Sequence, residues 1–268
     1  MRLAHQHVTG ATLAGPRRRA VFLHGILGHG SNLRTLARRF VTARDGWDAW
    51  TVDLRGHAAS HKGSPDPTLA AAAHDVVESC AASDVPVALL VGHSFGGKVA
   101  LAAAREEPGA LTHVVTLDSP PGARPPERGG DSALAVIEML RRLPDAFSSR
   151  DDFVKAVIAQ GHTPVLASWL AMSTVHQDGQ ATFALDLREI EALILDYFAA
   201  DLWPFVATTA LPVHFVVGER SSSWSPAELE RARALAPRVT VDTLPAGHWV
   251  HAEDPDGVVR ALLEHIPS

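Results

Sequence analysis

Short apolar runs alternate with helical periodicities along most of this chain. A short apolar run bounded by turn residues predicts a buried strand, and apolar residues recurring every three or four positions predict a helix. By this criterion the strands are 3–9, 20–23, 50–54, 87–91, 113–117, 213–217 and 239–244. Most of these runs are followed by a helical pattern. Because strands that alternate with helices form a parallel sheet covered on both faces, the pattern predicts an α/β fold.

The alternation stops between Pro120 and Thr209. A loop rich in Pro, Gly and Arg comes first, and helical patterns without evident strands follow at 132–143, 151–159, 165–172 and 187–200. A largely helical block inserted between two strands predicts a cap over the carboxyl edge of the sheet. We therefore divide the chain into a core, residues 1–119 with 210–268, and a helical cap, residues 120–209.

One strand–turn–helix unit carries a candidate nucleophile. The buried run 87–91 leads into Gly92-His93-Ser94-Phe95-Gly96, a match to G-x-S-x-G, and an Ala-rich helical pattern then runs to Pro108. A serine on such a turn needs neighbours with little or no side chain. The helix that follows aims free N–H groups and the positive end of its dipole at the turn. The motif predicts Ser94 as a nucleophile.

A serine hydroxyl needs a base to take its proton and a third group to orient that base. The chain has 15 histidines, so residue type alone decides nothing. His248 is favoured because it follows the last strand in a Gly-containing turn, from which its ring can reach the carboxyl edge of the sheet. His93, beside the nucleophile, is expected to point away from it and to serve in packing or hydrogen bonding.

The acid is less obvious, because the position where it is expected, in the loop after Gly218, is occupied by Ser222. A serine cannot stabilise an imidazolium by charge. Asp118 directly follows the strand 113–117, which comes after the helix that begins at the Ser94 turn (the elbow), and it lies at the same sheet edge as Ser94. Glu219 directly follows Gly218 and is expected to face solvent. We favour Asp118 as the acid and keep Glu219 as the alternative.

Two backbone N–H groups are the expected donors of an oxyanion hole, one from Phe95 after the nucleophile and one from Ile26 in the early loop. These roles use the backbone alone, so side-chain identity does not test them. The substrate pocket is expected to involve a histidine that braces the early loop and three large aromatic residues: His24, Trp169, Phe198 and Trp249.

Four motifs together resemble those of the α/β-hydrolase superfamily, and more narrowly its compact carboxylesterase and acyl-hydrolase branch with a helical cap. They are HGILG (24–28), DLRGHAAS (53–60), GHSFGGK (92–98) and GHW (247–249). The resemblance implies an eight-stranded, mostly parallel sheet with helices on both faces and the cap inserted after strand six. In that branch the acid can follow the sixth strand, which agrees with Asp118. Ala58 stands where the family usually has glycine.

The resemblance implies a serine hydrolase that cleaves small to medium carboxylic esters, or thioesters, through an acyl-enzyme on Ser94. A cofactor-free haloperoxidase, a lactonase or a C–C bond hydrolase would use the same residues and stays open. So does a non-catalytic binding or receptor-like protein in which Ser222 marks lost chemistry. Epoxide hydrolases and haloalkane dehalogenases need an aspartate at the elbow, so Ser94 argues against both.

The composition of the chain limits the classes of partner that it is expected to bind. A formal charge of −6 offers no basic field for nucleic acid or an anionic membrane. The sequence has no apolar run long enough to span a bilayer and no apolar core of a signal peptide near its start. Its one cysteine, Cys80, suits a reducing compartment, and no metal constellation appears. We expect a cytoplasmic enzyme for a small-molecule ester, without metal or cofactor, and leave the oligomeric state open.

Overall fold

Ten strands and eleven α-helices form the part of the chain that the computed structural model describes, namely residues 2–10, 17–60, 62–63, 65–106, 109–127, 132–177 and 179–267. The strands are β1 (His5–Val8), β2 (Arg18–Leu23), β3 (Trp47–Val52), β4 (Val87–His93), β5 (His113–Leu117), β6 (Ala146–Phe147), β7 (Thr174–Gln177), β8 (Gln180–Phe183), β9 (Val213–Gly218) and β10 (Val239–Leu244). The helices are α1 (Arg34–Ala43), α2 (Leu69–Ala81), α3 (Phe95–Glu106), α4 (Ala133–Leu140), α5 (Arg150–Ala159), α6 (Pro164–Leu170), α7 (Leu187–Ala199), α8 (Trp203–Thr208), α9 (Pro226–Arg233), α10 (Val250–Glu253) and α11 (Pro255–His265).

The main sheet has the strand order β1-β3-β2-β4-β5-β9-β10. Only β1 is antiparallel to its neighbour, and every other pairing in this sheet is parallel. The predicted α/β fold is thus confirmed. The resemblance implied eight strands, but the main sheet has seven in the described part of the chain. The difference lies at the start, where a single antiparallel edge strand, β1, precedes β2. The inserted segment accordingly follows the fifth strand of the chain and not the sixth.

Strand β2 shows how the sheet buries both faces. Val21 and Leu23 join the apolar cluster that contains residues of α2 and α3, whereas Ala20 and Phe22 join the cluster that contains residues of α1 and α11. Successive side chains of a strand point to opposite faces, so a strand covered on both sides must be apolar at every position. This requirement explains why the central strands read as continuous apolar runs in the sequence.

The segment 120–209 contains helices α4 to α8, and four of them cover the four predicted helical patterns. It also contains a three-stranded antiparallel sheet of order β6-β8-β7, which the sequence analysis did not predict. These strands have two to four residues each. Such short strands show at most two cycles of alternation, too little for a periodic signal.

The carboxyl ends of four parallel neighbours meet at one edge of the main sheet. Strands β2, β4, β5 and β9 end there, and the loops beginning at His24, Ser94, Asp118 and Glu219 leave from this edge. In open α/β sheets ligands bind outside the carboxyl ends of the strands. Among the described helices, none combines the length and apolarity that crossing a bilayer requires.

Candidate active site

Ser94 lies on the sharp turn between β4 and α3, with a left-handed backbone φ of 50°. The turn is so tight that a Cβ on Gly92 would lie 2.1 Å from the carbonyl oxygen of Gly96. A Cβ on Gly96 would lie 2.4 Å from the carbonyl oxygen of Leu23 in the neighbouring strand. Larger residues at either position would collide with backbone atoms, so these glycines allow the serine to be lifted above the sheet edge.

Hydrogen bonds from the neighbouring strand fix the elbow in place. The Ser94 N–H donates to the carbonyl oxygen of Leu117 at 3.0 Å, and Ser119 Oγ donates to the carbonyl oxygen of Ser94 at 2.6 Å. The left-handed region costs a non-glycine residue about 1–2 kcal/mol. Leu27, Ser94 and Asp118 all occupy it, with φ of 64°, 50° and 48°, and all three follow strand ends at this sheet edge. Strained residues persist only where the surrounding structure holds them, and they cluster at active sites and ligand clamps.

Asp118 and His248 form a close pair although 130 residues separate them. Oδ2 of Asp118 lies 2.6 Å from Nδ1 of His248, the carboxylate is fully buried and the imidazole side chain is 35% exposed. A carboxylate oxygen can only accept, so the ring donates this hydrogen bond from Nδ1. Asp118 also accepts from the Gly218 N–H at 3.2 Å and from the Ser221 hydroxyl.

The loop after Gly218 supplies hydroxyls where the sequence analysis expected an acid. Besides Ser221, which binds Asp118, Ser223 places its Oγ 3.1 Å from Nδ1 of His248. Ser222 lines the adjoining cavity. Glu219 is exposed, and its carboxylate forms no hydrogen bond or ion pair with a described residue. The structure therefore brings Asp118, and not Glu219, to His248.

Other histidines surround His248, but burial disfavours their charged forms. It lowers the pKa of His93 well below the ordinary value and that of His251 to about 4. His93 donates from Nε2 to the carbonyl oxygen of His248 at 2.9 Å, and its ring packs against those of His248 and His251. These two rings are neutral at pH 7 and are poor general bases, because a base of low pKa holds a proton weakly.

Two buried imidazoles, those of His24 and His57, brace the early loop, residues 24–28 after β2. His24 donates to the carbonyl oxygen of Gly25 at 2.8 Å and accepts from the Leu54 N–H at 3.0 Å. His57 accepts from the Leu27 N–H at 3.2 Å. A Cβ on Gly25 would lie 3.5 Å from Cβ of Ser94, so this loop runs directly past that serine.

Two N–H groups are available at the elbow. The Ile26 N–H makes no hydrogen bond to a described residue. Phe95 is the first residue of α3, and the first N–H groups of a helix have no acceptor within it. The turn therefore offers donors from the two segments in which the sequence analysis placed the oxyanion hole.

A profile of the alpha/beta hydrolase family matches residues 20–261. The chain belongs to the alpha/beta hydrolase family. A relative in this family is the sn-1-specific diacylglycerol lipase ABHD11 of Mus musculus, which is 30% identical over 255 residues, covering 92% of this chain and 80% of that protein. Esterase YbfF of Escherichia coli (strain K12) is 26% identical over 255 residues, covering 92% of both. A solved structure of a marine microorganism esterase matches with a TM-score of 0.82 at 20% identity, over 98% of this chain and 99% of that chain, and shows the same fold.

The cavity of this alpha/beta hydrolase has a volume of about 380 Å³, within the range of small-molecule sites. Its walls include the candidate nucleophile and base together with three predicted aromatic residues: Ser94, His248, Trp169, Phe198 and Trp249. His24 does not line this cavity, contrary to the sequence-based expectation. It is 1% exposed and lies beneath the early loop, because both of its ring nitrogens bond to backbone there.

A buried cation links the elbow helix of the hydrolase to the inserted segment. Nζ of Lys98 in α3 donates to the carbonyl oxygens of Gly122, Tyr197 and Ala200 at 2.7, 2.8 and 2.9 Å. Three donors meet three acceptors, which satisfies the ammonium group. Burial, together with the nearby charge of Arg124, lowers the pKa of Lys98 to about 7.

The sequence analysis missed Lys98, Arg124, Ser221 and Ser223 as residues of the site region. Lys98 did carry a signal, since it is a charged residue followed directly by the apolar, Ala-rich run 99–104. The others lie in loops rich in small, polar and charged residues, where residue type gives no direction to a side chain. Their contacts depend on segments about 100 residues away, and no local pattern reports them.

Proposed function

We propose that this chain hydrolyses small to medium carboxylic esters, thioesters included, through an acyl-enzyme on Ser94. The observation that carries the proposal is the arrangement at one cavity of Ser94, on its left-handed turn, and His248, held by Asp118. The relatives named as a diacylglycerol lipase and as an esterase support this reaction class. The chain is thus a hydrolase of the carboxylesterase type.

In the proposed acylation step, Ser94 Oγ attacks the carbonyl carbon of the ester while Nε2 of His248 takes the hydroxyl proton. The carbonyl electron pair moves onto oxygen, where the N–H groups of Ile26 and Phe95 stabilise the negative charge. One such donor contributes about 10²–10³-fold to the rate. The intermediate then collapses, the ester C–O bond breaks, and the proton passes from His248 to the departing alcohol.

Deacylation repeats the sequence with water in place of the serine hydroxyl. His248 takes a proton from water, the hydroxide attacks the acyl carbon, and Ser94 leaves with the returned proton. Throughout, Asp118 holds the ring in the tautomer with hydrogen on Nδ1 and stabilises the imidazolium that forms. The hydrogen bonds from the Gly218 N–H and the Ser221 hydroxyl hold this carboxylate in position.

The test is hydrolysis of 4-nitrophenyl esters from acetate to laurate by wild type, Asp118→Asn and Glu219→Gln. An amide at 118 keeps the shape but favours the wrong ring tautomer, so we expect kcat of Asp118→Asn to fall on the order of 10⁴-fold. Glu219→Gln is the matched control and should retain wild-type kcat. A fall confined to Glu219→Gln would move the acid to the later loop. Absence of activity on every chain length would refute the ester hydrolase proposal.

We also propose that residues 120–209 act as a cap on a core formed by residues 1–119 and 210–268. The segment contributes no described strand to the main sheet, and residues from it line the cavity beside Ser94. A cytoplasmic location is likewise a proposal, supported by the single cysteine, Cys80, which leaves no intramolecular disulfide to form.

A further inference from the structure

We infer that Arg124 makes this enzyme selective for esters that carry a second, anionic group, a carboxylate in the first instance. The inference deepens the proposed ester hydrolysis at Ser94 and rests on it. Arg124 lines the same cavity as Ser94 and His248 and takes no part in the proposed chemistry.

The backbone and side chain of Arg124 are both held at the cavity wall. Its N–H donates to the carbonyl oxygen of Phe198 at 2.9 Å, which fixes the loop against α7. The guanidinium lies over the rings of Tyr197 and Phe198, with its Cζ 5.7 and 5.4 Å from their centroids. A long cation fixed in this way loses little further freedom when it binds a ligand, so it is preorganised.

The hydrogen-bonding capacity of this guanidinium is only partly used. Nη1 donates to the carbonyl oxygen of Ser223 at 2.8 Å and Nη2 to the Tyr197 hydroxyl at 3.3 Å. Nε is buried and has no partner among the described residues. Arginine has five N–H donors in a fork that matches a carboxylate, so capacity for an acceptor remains.

No carboxylate of the described chain forms an ion pair with Arg124. Its partners, a carbonyl and a phenol, are neutral, and burial raises the pKa of Tyr197 and so keeps that phenol protonated. A half-buried cation without a counter-charge is costly, and an anion brought by the substrate would supply that charge. Glu127 lies exposed on the same cavity wall. With one guanidinium and one carboxylate along its wall, the cavity suits a singly charged group better than a doubly charged phosphate monoester.

Arg220, the second arginine of this cavity lining, does have a carboxylate partner. Nη1 of Arg220 donates to the carbonyl oxygen of Pro245 at 2.8 Å, and Nη2 pairs with Glu253 at 3.0 Å. Its charge is already compensated and its side chain is 59% exposed. Position also favours Arg124, because Ser223, which accepts from its Nη1, contacts Nδ1 of His248. One residue, Ser223, thus links this guanidinium to the candidate base, His248.

The experiment compares two substrate pairs that differ in one carboxylate. In the first pair the carboxylate is on the acyl side, mono-4-nitrophenyl adipate against 4-nitrophenyl hexanoate. In the second it is on the alcohol side, 6-acetoxyhexanoate against hexyl acetate, followed by pH-stat. The readout is the ratio of kcat/KM within a pair, so a general loss of activity that affects both members does not change it. Hydrogen bonds to a charged group predict a wild-type ratio of about 10 to 100 in at least one pair.

Arg124→Gln should reduce that ratio to about 1, and Arg124→Lys, which keeps the charge but not the fork, should retain part of it. Arg141→Gln is the matched control, since Arg141 lies in the same segment but pairs with Glu191 and does not line the cavity. Equal kcat/KM within both pairs for wild type would overturn the inference while leaving ester hydrolysis established. A ratio that survives in Arg124→Gln would overturn it as well.

Calorimetric titration with adipate separates this inference from the proposed reaction. We expect adipate to bind wild type and Arg141→Gln, and to bind Arg124→Gln at least ten-fold more weakly. If no ester were cleaved but this pattern held, the anion site would stand and the ester hydrolase proposal would fall. If adipate bound wild type and Arg124→Gln alike, or neither, the inference would be refuted.

Discussion

Replacing Lys98 with methionine removes a buried ammonium group to which three carbonyl oxygens are bonded, those of Gly122, Tyr197 and Ala200. Methionine fills a similar volume but donates nothing. Each carbonyl left buried without a partner costs about 1–3 kcal/mol, partly offset by the removal of a buried charge. We expect the free energy of unfolding to fall by about 3 kcal/mol at pH 7.

The pH dependence is the sharper part of this prediction. The pKa of Lys98 is about 7 in the folded protein, against 10.5 for an exposed lysine. Between these values the unfolded chain binds more protons than the folded one, so the contribution of Lys98 to stability rises with pH. The gain from pH 7 to pH 9 is about 2 kcal/mol. Lys98→Met lacks this contribution, so the stability gap between wild type and variant should widen by that amount.

Urea unfolding at pH 7, 8 and 9, followed by circular dichroism, measures the gap directly. Other groups that titrate in this range are common to both proteins and cancel in the difference. The control is Lys155→Met, because Lys155 is 75% exposed and pairs with Asp152 on the same helix. We expect that variant to track wild type at every pH. A gap for Lys98→Met that stays constant from pH 7 to 9 would show that Lys98 titrates normally in the folded protein.

Two further predictions concern the strained loops. Ala58 has a left-handed φ of 43°, so Ala58→Gly should stabilise the protein by about 0.5–1 kcal/mol, and thermal unfolding would contradict this if the melting temperature fell. Ser221→Ala removes one of the three hydrogen bonds to Asp118, so kcat for 4-nitrophenyl butyrate should drop about five-fold with little change in KM. An equal drop in Ser222→Ala, whose side chain does not bond to Asp118, would argue against that cause.

The central sheet could be read from the sequence because its strands are buried on both faces. Strand β4 is buried at every position and its first five residues are apolar, and the change of period after Ser94 marks the start of a helix. The G-x-S-x-G match and the strand-end position of Asp118 placed both residues at one edge before any contact was known. The hydrogen bond between Asp118 and His248 agrees with that placement, while their catalytic roles stay predictions.

The loop contacts around Asp118 and His248, and the small second sheet, could not be predicted because they depend on long-range contacts. Nothing local to Ser221 or Ser223 indicates that they face Asp118 and His248, since residue type and spacing do not specify how a loop folds back. The hairpin of β7 and β8 was missed for a related reason. Each strand has only four residues, which is too short for a recognisable alternation, and it forms because it pairs with its neighbour. At Ala58, by contrast, the sequence did carry a local signal. The family usually has glycine there, and the backbone of Ala58 is left-handed, a conformation that favours glycine.

Lys98 has a topological consequence beyond its effect on stability. Gly122 lies near the start of the inserted segment, and Tyr197 and Ala200 lie towards its end, yet all three meet at one nitrogen atom. That nitrogen closes the intervening chain into a loop, as a cross-link would, and loop-closure entropy grows only slowly with length. Residues could therefore be added or removed between these anchors without moving the elbow helix that carries Lys98. The inserted part of the cavity wall is thus free to diverge while Ser94 keeps its position.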